Sequence, residues 1–200
     1  MIKCRNSIIS AAGFRLTFGT GKSLSFVRAQ TMLTLRCTQK LLRRMSERPT
    51  ETESKPTTLL GDWYANILFS KPQLVLCISE RTLLPVVVRA KEIQLLGDRF
   101  AGAVRELLTV LEIAPRLIDQ ELAQMQGLRF GRTINKRVLG SLNDFMFQLD
   151  CSVHDEPDMP LLLRSLELGQ IPCSPIGFKF PTEATVELFA SGSDIANAIH

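Results

Sequence analysis

The sequence predicts an α+β fold, with a small, mainly antiparallel sheet of about four strands in the N-terminal half packed against a mostly helical C-terminal half. Three observations carry this expectation. Continuous or alternating apolar runs fill residues 59–88, helical spacing dominates after Ala90, and the two patterns are segregated along the chain. A chain of 200 residues with 45% hydrophobic content is long enough to bury a full core.

Met32-Leu-Thr-Leu-Arg-Cys-Thr38 alternates as a first strand, and 39–47 sets Leu41, Leu42 and Met45 on one side of a short helix with Thr38 as its N-cap. Residues 46–58 are rich in Ser, Thr, Pro and charge and read as a loop. Three runs follow, at 63–69, 74–79 and 82–88, separated by Ser70-Lys71-Pro72 and Glu80-Arg81. They form an antiparallel meander whose middle member is buried on both faces. Pro85 lacks a backbone donor, which places the third run at an edge or on a bulge.

Within 91–113, the positions Phe100, Val104, Leu107, Leu108 and Leu111 recur at helical spacing. Pro115 opens the next helix, over 116–126, which Gly127 closes. A helix from Met159 to Leu168 follows the acidic turn at 154–158, and Pro181 opens a last one over 182–190, before a frayed tail at 191–200. Residues 32–190 are thus expected to form one α+β domain.

The segment 132–149 is the richest in polar chemistry. Val138, Leu139, Leu142, Phe145, Met146 and Leu149 form a core-facing stripe about 120° wide at ~100° per residue. The opposite arc holds Lys136, Arg137, Gly140, Asn143 and Asp144, with Phe147 among them. A strand over 145–153 competes with the end of this helix, since Phe147, Leu149, Cys151 and Val153 alternate with polar residues; the length of the upstream stripe favours helix. Its bland reading is a solvated face with Thr133 or Asn135 as cap and Asp144 paired to Arg137 or Lys136. Its functional reading is a gripping surface. Gly61-Asp62-Trp63-Tyr64-Ala65-Asn66 is the second polar cluster, in which Asp62 can close a turn and Asn66 can reach toward Asn143 and Asp144.

Charge and composition exclude several classes. Residues 1–31 contain five of the 24 basic residues and no acid, leaving 19 basic against 20 acidic residues beyond them, so the formal charge of +4 belongs to this leader. A near-neutral body gives no support to general nucleic-acid binding. The leader is read either as upstream sequence preceding a start at Met32 or as a disordered or cleaved targeting segment. Within it, Gly21-Lys22-Ser23 resembles the end of a phosphate loop, but the required earlier glycine is Leu16. Five scattered cysteines without a CxxC pair indicate free thiols in a reducing, cytoplasmic setting. With His154 and His200 as the only imidazoles, no metal site or cofactor is expected. No apolar run approaches the ~20 residues that span a bilayer.

The segments Leu60-Gly-Asp-Trp-Tyr-Ala-Asn66, Thr82-Leu-Leu-Pro85, Arg129-Phe-Gly-Arg-Thr-Ile-Asn135 and Val138-Leu-Gly-Ser-Leu-Asn-Asp-Phe145 resemble a bacterial family known as domain of unknown function 6933. The resemblance runs from Met32 to about Phe189 and brings no activity or catalytic residue with it. The leading expectation is a soluble binding or interaction module, with a protein as one candidate partner. Its candidate binding residues are Asp62, Trp63, Asn66, Asn135, Lys136, Arg137, Asn143 and Asp144. The alternative is an enzyme, hydrolytic or acting on a phosphorylated or nucleic-acid substrate. It would use Asp144 or Asp62 as acid–base group, with Lys136 or Arg137 stabilising an anion. A concave pocket where the clusters meet would favour a small ligand or enzyme, and a flat, partly apolar face a protein partner.

Overall fold

The computed structural model describes residues 32–46, 48–50, 56–91 and 95–197. The leader, its Gly-Lys-Ser run and part of the expected 46–58 loop lie outside the described residues. The elements are β1 (Met32–Cys37), α1 (Gln39–Met45), β2 (Trp63–Leu68), β3 (Leu74–Ser79), β4 (Pro85–Arg89), α2 (Leu96–Val110), α3 (Pro115–Gln124), β5 (Gly127–Arg132), α4 (Lys136–Asp155), α5 (Leu161–Leu168), a 3-10 turn (Ser174–Ile176) and α6 (Pro181–Asn197).

The α+β class holds, but the sheet is mixed and has five strands, in the order β4-β3-β2-β1-β5. β1 runs parallel to both β2 and β5, while β2–β3 and β3–β4 are antiparallel. The unexpected strand is β5, whose sequence Gly-Leu-Arg-Phe-Gly-Arg shows only two large apolar residues. Gly127 begins this strand rather than closing α3, which ends at Gln124. Leu128 and Phe130 pack against the same core as Leu33 and Leu35, their register partners in β1. Tertiary pairing therefore overrides a weak local signal.

Strand alternation sorts two cores onto the two faces. On the first face, Leu33, Leu35, Trp63, Ala65, Ile67, Val75, Cys77, Val86 and Val88 meet Leu41 and Leu42 of α1, Phe100, Val104 and Leu107 of α2, and Ile118 of α3. Trp63 is wholly buried and meets Phe100 edge-on, with ring centroids 4.8 Å apart. On the second face, Tyr64, Leu74, Leu76, Ile78 and Val87 meet Val138, Leu142, Phe145 and Leu149 of α4. The α4 stripe is as the periodicity predicts. The helix continues through 145–153, where a strand would have competed. All six residues of β3 are buried, as its apolar run implies.

Pro85 does begin an edge strand, and α5 covers that edge. The Val87 N–H, turned away from β3, donates to Ser165 Oγ at 2.9 Å. An otherwise open strand edge is thereby closed. The hairpin turn before β4 is also tied down: Ser79 and Thr82 hydroxyls lie 2.8 Å apart, and Thr185 of α6 lies 2.8 Å from Thr82. The last helix continues to Asn197, past Ser191-Gly-Ser193, where the sequence suggested fraying. Thr38 stands at the N-cap position of α1 but makes no capping bond, because its hydroxyl donates to Asn66 instead. Among the described residues no helix is long and apolar enough to cross a membrane.

Candidate functional site

Asp62, Tyr64 and Asn66 alternate on the α4 side of the sheet, while Trp63 points into the opposite core. The two polar clusters of the sequence do meet, but through Tyr64 and Asn135. The Asn135 amide donates to Tyr64 Oη at 3.2 Å, Tyr64 Oη donates to Glu80 Oε1 at 3.4 Å, and Asn135 Nδ2 reaches the same Glu80 oxygen at 3.4 Å. Asn135 Oδ1 meanwhile accepts from the amides of Arg137 and Val138, capping α4. One residue thus both starts the helix, through its side chain, and fixes it to the sheet, through its backbone N–H to Tyr64. Burial, followed by the nearby Glu80 carboxylate, pushes the Tyr64 hydroxyl up to about 12.

Beside this network, Arg36 Nε and Nη2 each lie 2.7 Å from Asp62 Oδ2, and Arg36 Nη1 reaches the Arg132 carbonyl at 3.5 Å. Arg36 and Asp62 are 8% and 2% exposed, so the pair is sealed rather than presented to a ligand. Burial raises the Asp62 carboxyl above its ordinary 3.8, opposed by Arg36 and assisted by Glu80. Asn66 Oδ1 accepts from Thr38 Oγ1 at 2.7 Å and from the Ile67 amide at 2.9 Å. No hydrogen bond joins Asn66 to Asn143 or Asp144 among the described residues, so the expected contact gives way to one with Thr38.

The remaining predicted residues lie on the exposed side of α4. Lys136, Asn143 and Asp144 are exposed and their side chains make no hydrogen bond or ion pair among the described residues, so Asp144 does not pair with Arg137 or Lys136. Arg137 Nη2 instead donates to the Pro175 carbonyl at 3.3 Å, holding the 3-10 turn against α4. Phe147, the aromatic in the polar arc, is 66% exposed.

A third carboxylate, outside the two polar clusters, holds a turn of the backbone. Glu121 of α3 is 3% exposed and accepts the consecutive amides of Leu59 and Leu60, at 2.7 and 3.0 Å. It thereby holds the turn that enters β2 through Gly61, whose φ of +82° suits glycine and whose absent Cβ would lie 3.2 Å from Arg81 Cγ. Burial raises its carboxyl above the ordinary 4.5, although both amide bonds favour the charged form. Its position on a helix face that is otherwise apolar, with Ile118, was the only trace of this role.

The concave feature near these clusters lies at the carboxyl ends of β1 and β5. These strands are adjacent and parallel, yet the chain leaves β1 for α1 on the first face and β5 for α4 on the second. Diverging connections of this kind open a crevice outside the strand ends, the usual ligand position in open sheets with parallel strands. Here the cavity is about 510 Å³, lined by Cys37, Gln39, Leu42, Arg43, Ser46, Pro49, Arg132 and Thr133. Arg43 and Arg132 give it positive charge, and no described lining residue is acidic. Burial pushes the Cys37 thiol well up, which keeps it protonated and unreactive. Arg43 and Ser46 carry no local mark of a site in the sequence, and Thr133 reads there only as a possible helix cap, because the three come together from segments far apart in the chain. Among the described residues no group of three or more His, Cys, Asp or Glu side chains is placed to hold a metal ion.

No curated protein and no solved structure matches the chain. Residues 34–184, from β1 into α6, match a family model described as "Domain of unknown function (DUF6933)". That span includes the strand Trp63–Leu68, the β3–β4 turn and the capped helix α4, the elements that carry the buried network. The chain therefore belongs to this family, domain of unknown function DUF6933.

Proposed function

We propose that this protein is a binding module whose ligand is a small, polar, anionic molecule held in the crevice between β1, α1 and β5. The observation that carries this reading is the divergence of the connections leaving two adjacent parallel strands over a cavity containing two arginines and no described acid. Arg43 and Arg132 supply charge and planar donors suited to a carboxylate or phosphate, while Gln39, Ser46 and Thr133 supply polar side chains for orientation. Asp62, Asn66 and Asn135 then act from behind the site: Asp62 and Asn66 hold β1 and β2 together through Arg36 and Thr38, and Asn135 fixes the start of α4. Four described cysteines are free thiols, three of them buried, which supports the reading of a reducing, cytoplasmic setting.

A thermal-shift titration with inorganic phosphate, comparing the full chain with an Arg43→Gln/Arg132→Gln variant, tests the crevice. Saturable stabilisation of the parent alone is expected. Equal stabilisation of both proteins would place the anion elsewhere and defeat the proposal.

A protein partner on the outer side of α4 is the second reading, favoured by the exposure of Phe147 beside Asn143 and Asp144, with Lys136 about three turns away on the same helix. Acid–base catalysis receives less support. Asp62 is engaged by Arg36, and Arg137 is turned to the Pro175 carbonyl, so neither stands ready beside a reacting group.

A further inference from the structure

A second cavity, of about 350 Å³, lies on the far side of the molecule, where α2 and α5 flank the outer edge of β4. Its walls are apolar, with Val88 from the strand, Ala103 from α2 and Leu162 from α5. Its mouth is not: Arg89 and Lys91 are exposed there and Arg99 is half-buried, against Glu106 as the one carboxylate among the described lining residues. The edge of the strand adds a directional feature. Ser165 takes the outward N–H of Val87, and strand alternation turns the N–H of Arg89 to the same side, at the cationic mouth.

These two characters together specify an occupant. A small hydrophilic anion would gain nothing from the apolar walls, and a neutral hydrocarbon would make no use of the cationic rim. We propose that this groove binds a medium-chain monocarboxylate, its hydrocarbon body against Val88, Ala103 and Leu162 and its carboxylate at Arg89, in the positive field that Lys91 and Arg99, each already engaged, add to the mouth. The cavity volume lies at the small end of ligand pockets, which span roughly 300–1,000 Å³, and so fits a chain of about six to eight carbons. This site is separate from the crevice at β1 and β5 and does not rest on that reading.

Calorimetric titration of the full chain with butanoate, hexanoate and octanoate tests the assignment, with 1-octanol and octylamine as controls of matched length. Affinity is expected to rise about fourfold per added methylene until the groove is filled. Both controls should bind at least tenfold more weakly than octanoate. Ala103→Phe, which fills the groove from α2, should weaken octanoate at least tenfold. Arg89→Gln, at an exposed position, should weaken octanoate severalfold while leaving octanol unchanged. Equal binding of octanoate and octanol would overturn the proposal, as would octanoate binding that is indifferent to Arg89→Gln or absent altogether.

Discussion

Two nitrogens of Arg36 converge on one oxygen of Asp62, each at 2.7 Å, joining β1 to the residue that precedes β2. Both groups are out of water, so each is compensated mainly by the other. Removing one partner of a buried pair commonly costs about 3–5 kcal/mol, whereas replacing both by apolar residues costs far less. Asp62→Ala should therefore lower stability by about that amount in urea unfolding, and Arg36→Met/Asp62→Leu should recover at least half of the loss. A single Asp62→Ala loss under about 1 kcal/mol would show that the guanidinium finds other compensation.

Glu121 offers a test in pH. Its carboxyl is raised above 4.5 in the folded protein, so the native state holds this proton more tightly than the unfolded chain. In the interval from 4.5 up to the folded-state value, the native state binds more protons and this group's contribution to stability falls as pH rises. Glu121→Gln removes the titration, and its stability–pH profile should be flatter across that interval, with the parent losing ground to the variant as pH increases. Glu121→Ala should also cost about 1–3 kcal/mol, because the amides of Leu59 and Leu60 lose their acceptor.

Ser165 closes the edge of β4 with a single hydroxyl. Ser165→Ala leaves the buried Val87 N–H without its acceptor, and a loss of about 1–3 kcal/mol is expected. Amide hydrogen exchange at Val87 should accelerate more than at Cys77, which lies in the interior strand β3. Unchanged exchange at Val87 would mean that α5 protects the edge by coverage alone.

The polar residues first suspected as one site divide by burial, and substitution should expose the division. Asn66→Ala deprives the Thr38 hydroxyl and the Ile67 amide of an acceptor and should cost about 1–3 kcal/mol. Asp144→Asn, on the exposed side of α4, should change stability by no more than about 0.5 kcal/mol.

The aromatic pair on α4 makes the same point without charge. Phe145→Ala should cost about 3–5 kcal/mol and Phe147→Ser almost nothing, since the first is 2% and the second 66% exposed. Thermal unfolding of the two variants reads the contrast directly.

Much of this architecture was legible in the residues themselves. The all-buried β3, Pro85 at an edge or bulge, the α4 stripe and a cap at Thr133 or Asn135 each depend on local rules: strand alternation, the missing proline donor, helical period and capping chemistry; the structure selects the edge and Asn135. The burial of Thr34 and Arg36 was not legible, since their alternation with Leu33, Leu35 and Cys37 is the pattern of a strand whose polar face meets solvent. The pairing of β5 with β1 was not legible, because Gly-Leu-Arg-Phe-Gly-Arg becomes a strand only when a parallel neighbour supplies its hydrogen bonds. Nor was the meeting of Arg36 with Asp62, of Glu121 with the Leu59–Leu60 turn, or of Arg43 with Arg132 across the crevice. Apart from β5, sequence by itself determined which stretches were strand or helix and which side of each was apolar, since period and capping act within a few residues. Tertiary structure alone decided which polar side chains are consumed in holding the sheet together and which remain at a cavity, because burial and charge pairing depend on neighbours brought from distant parts of the chain.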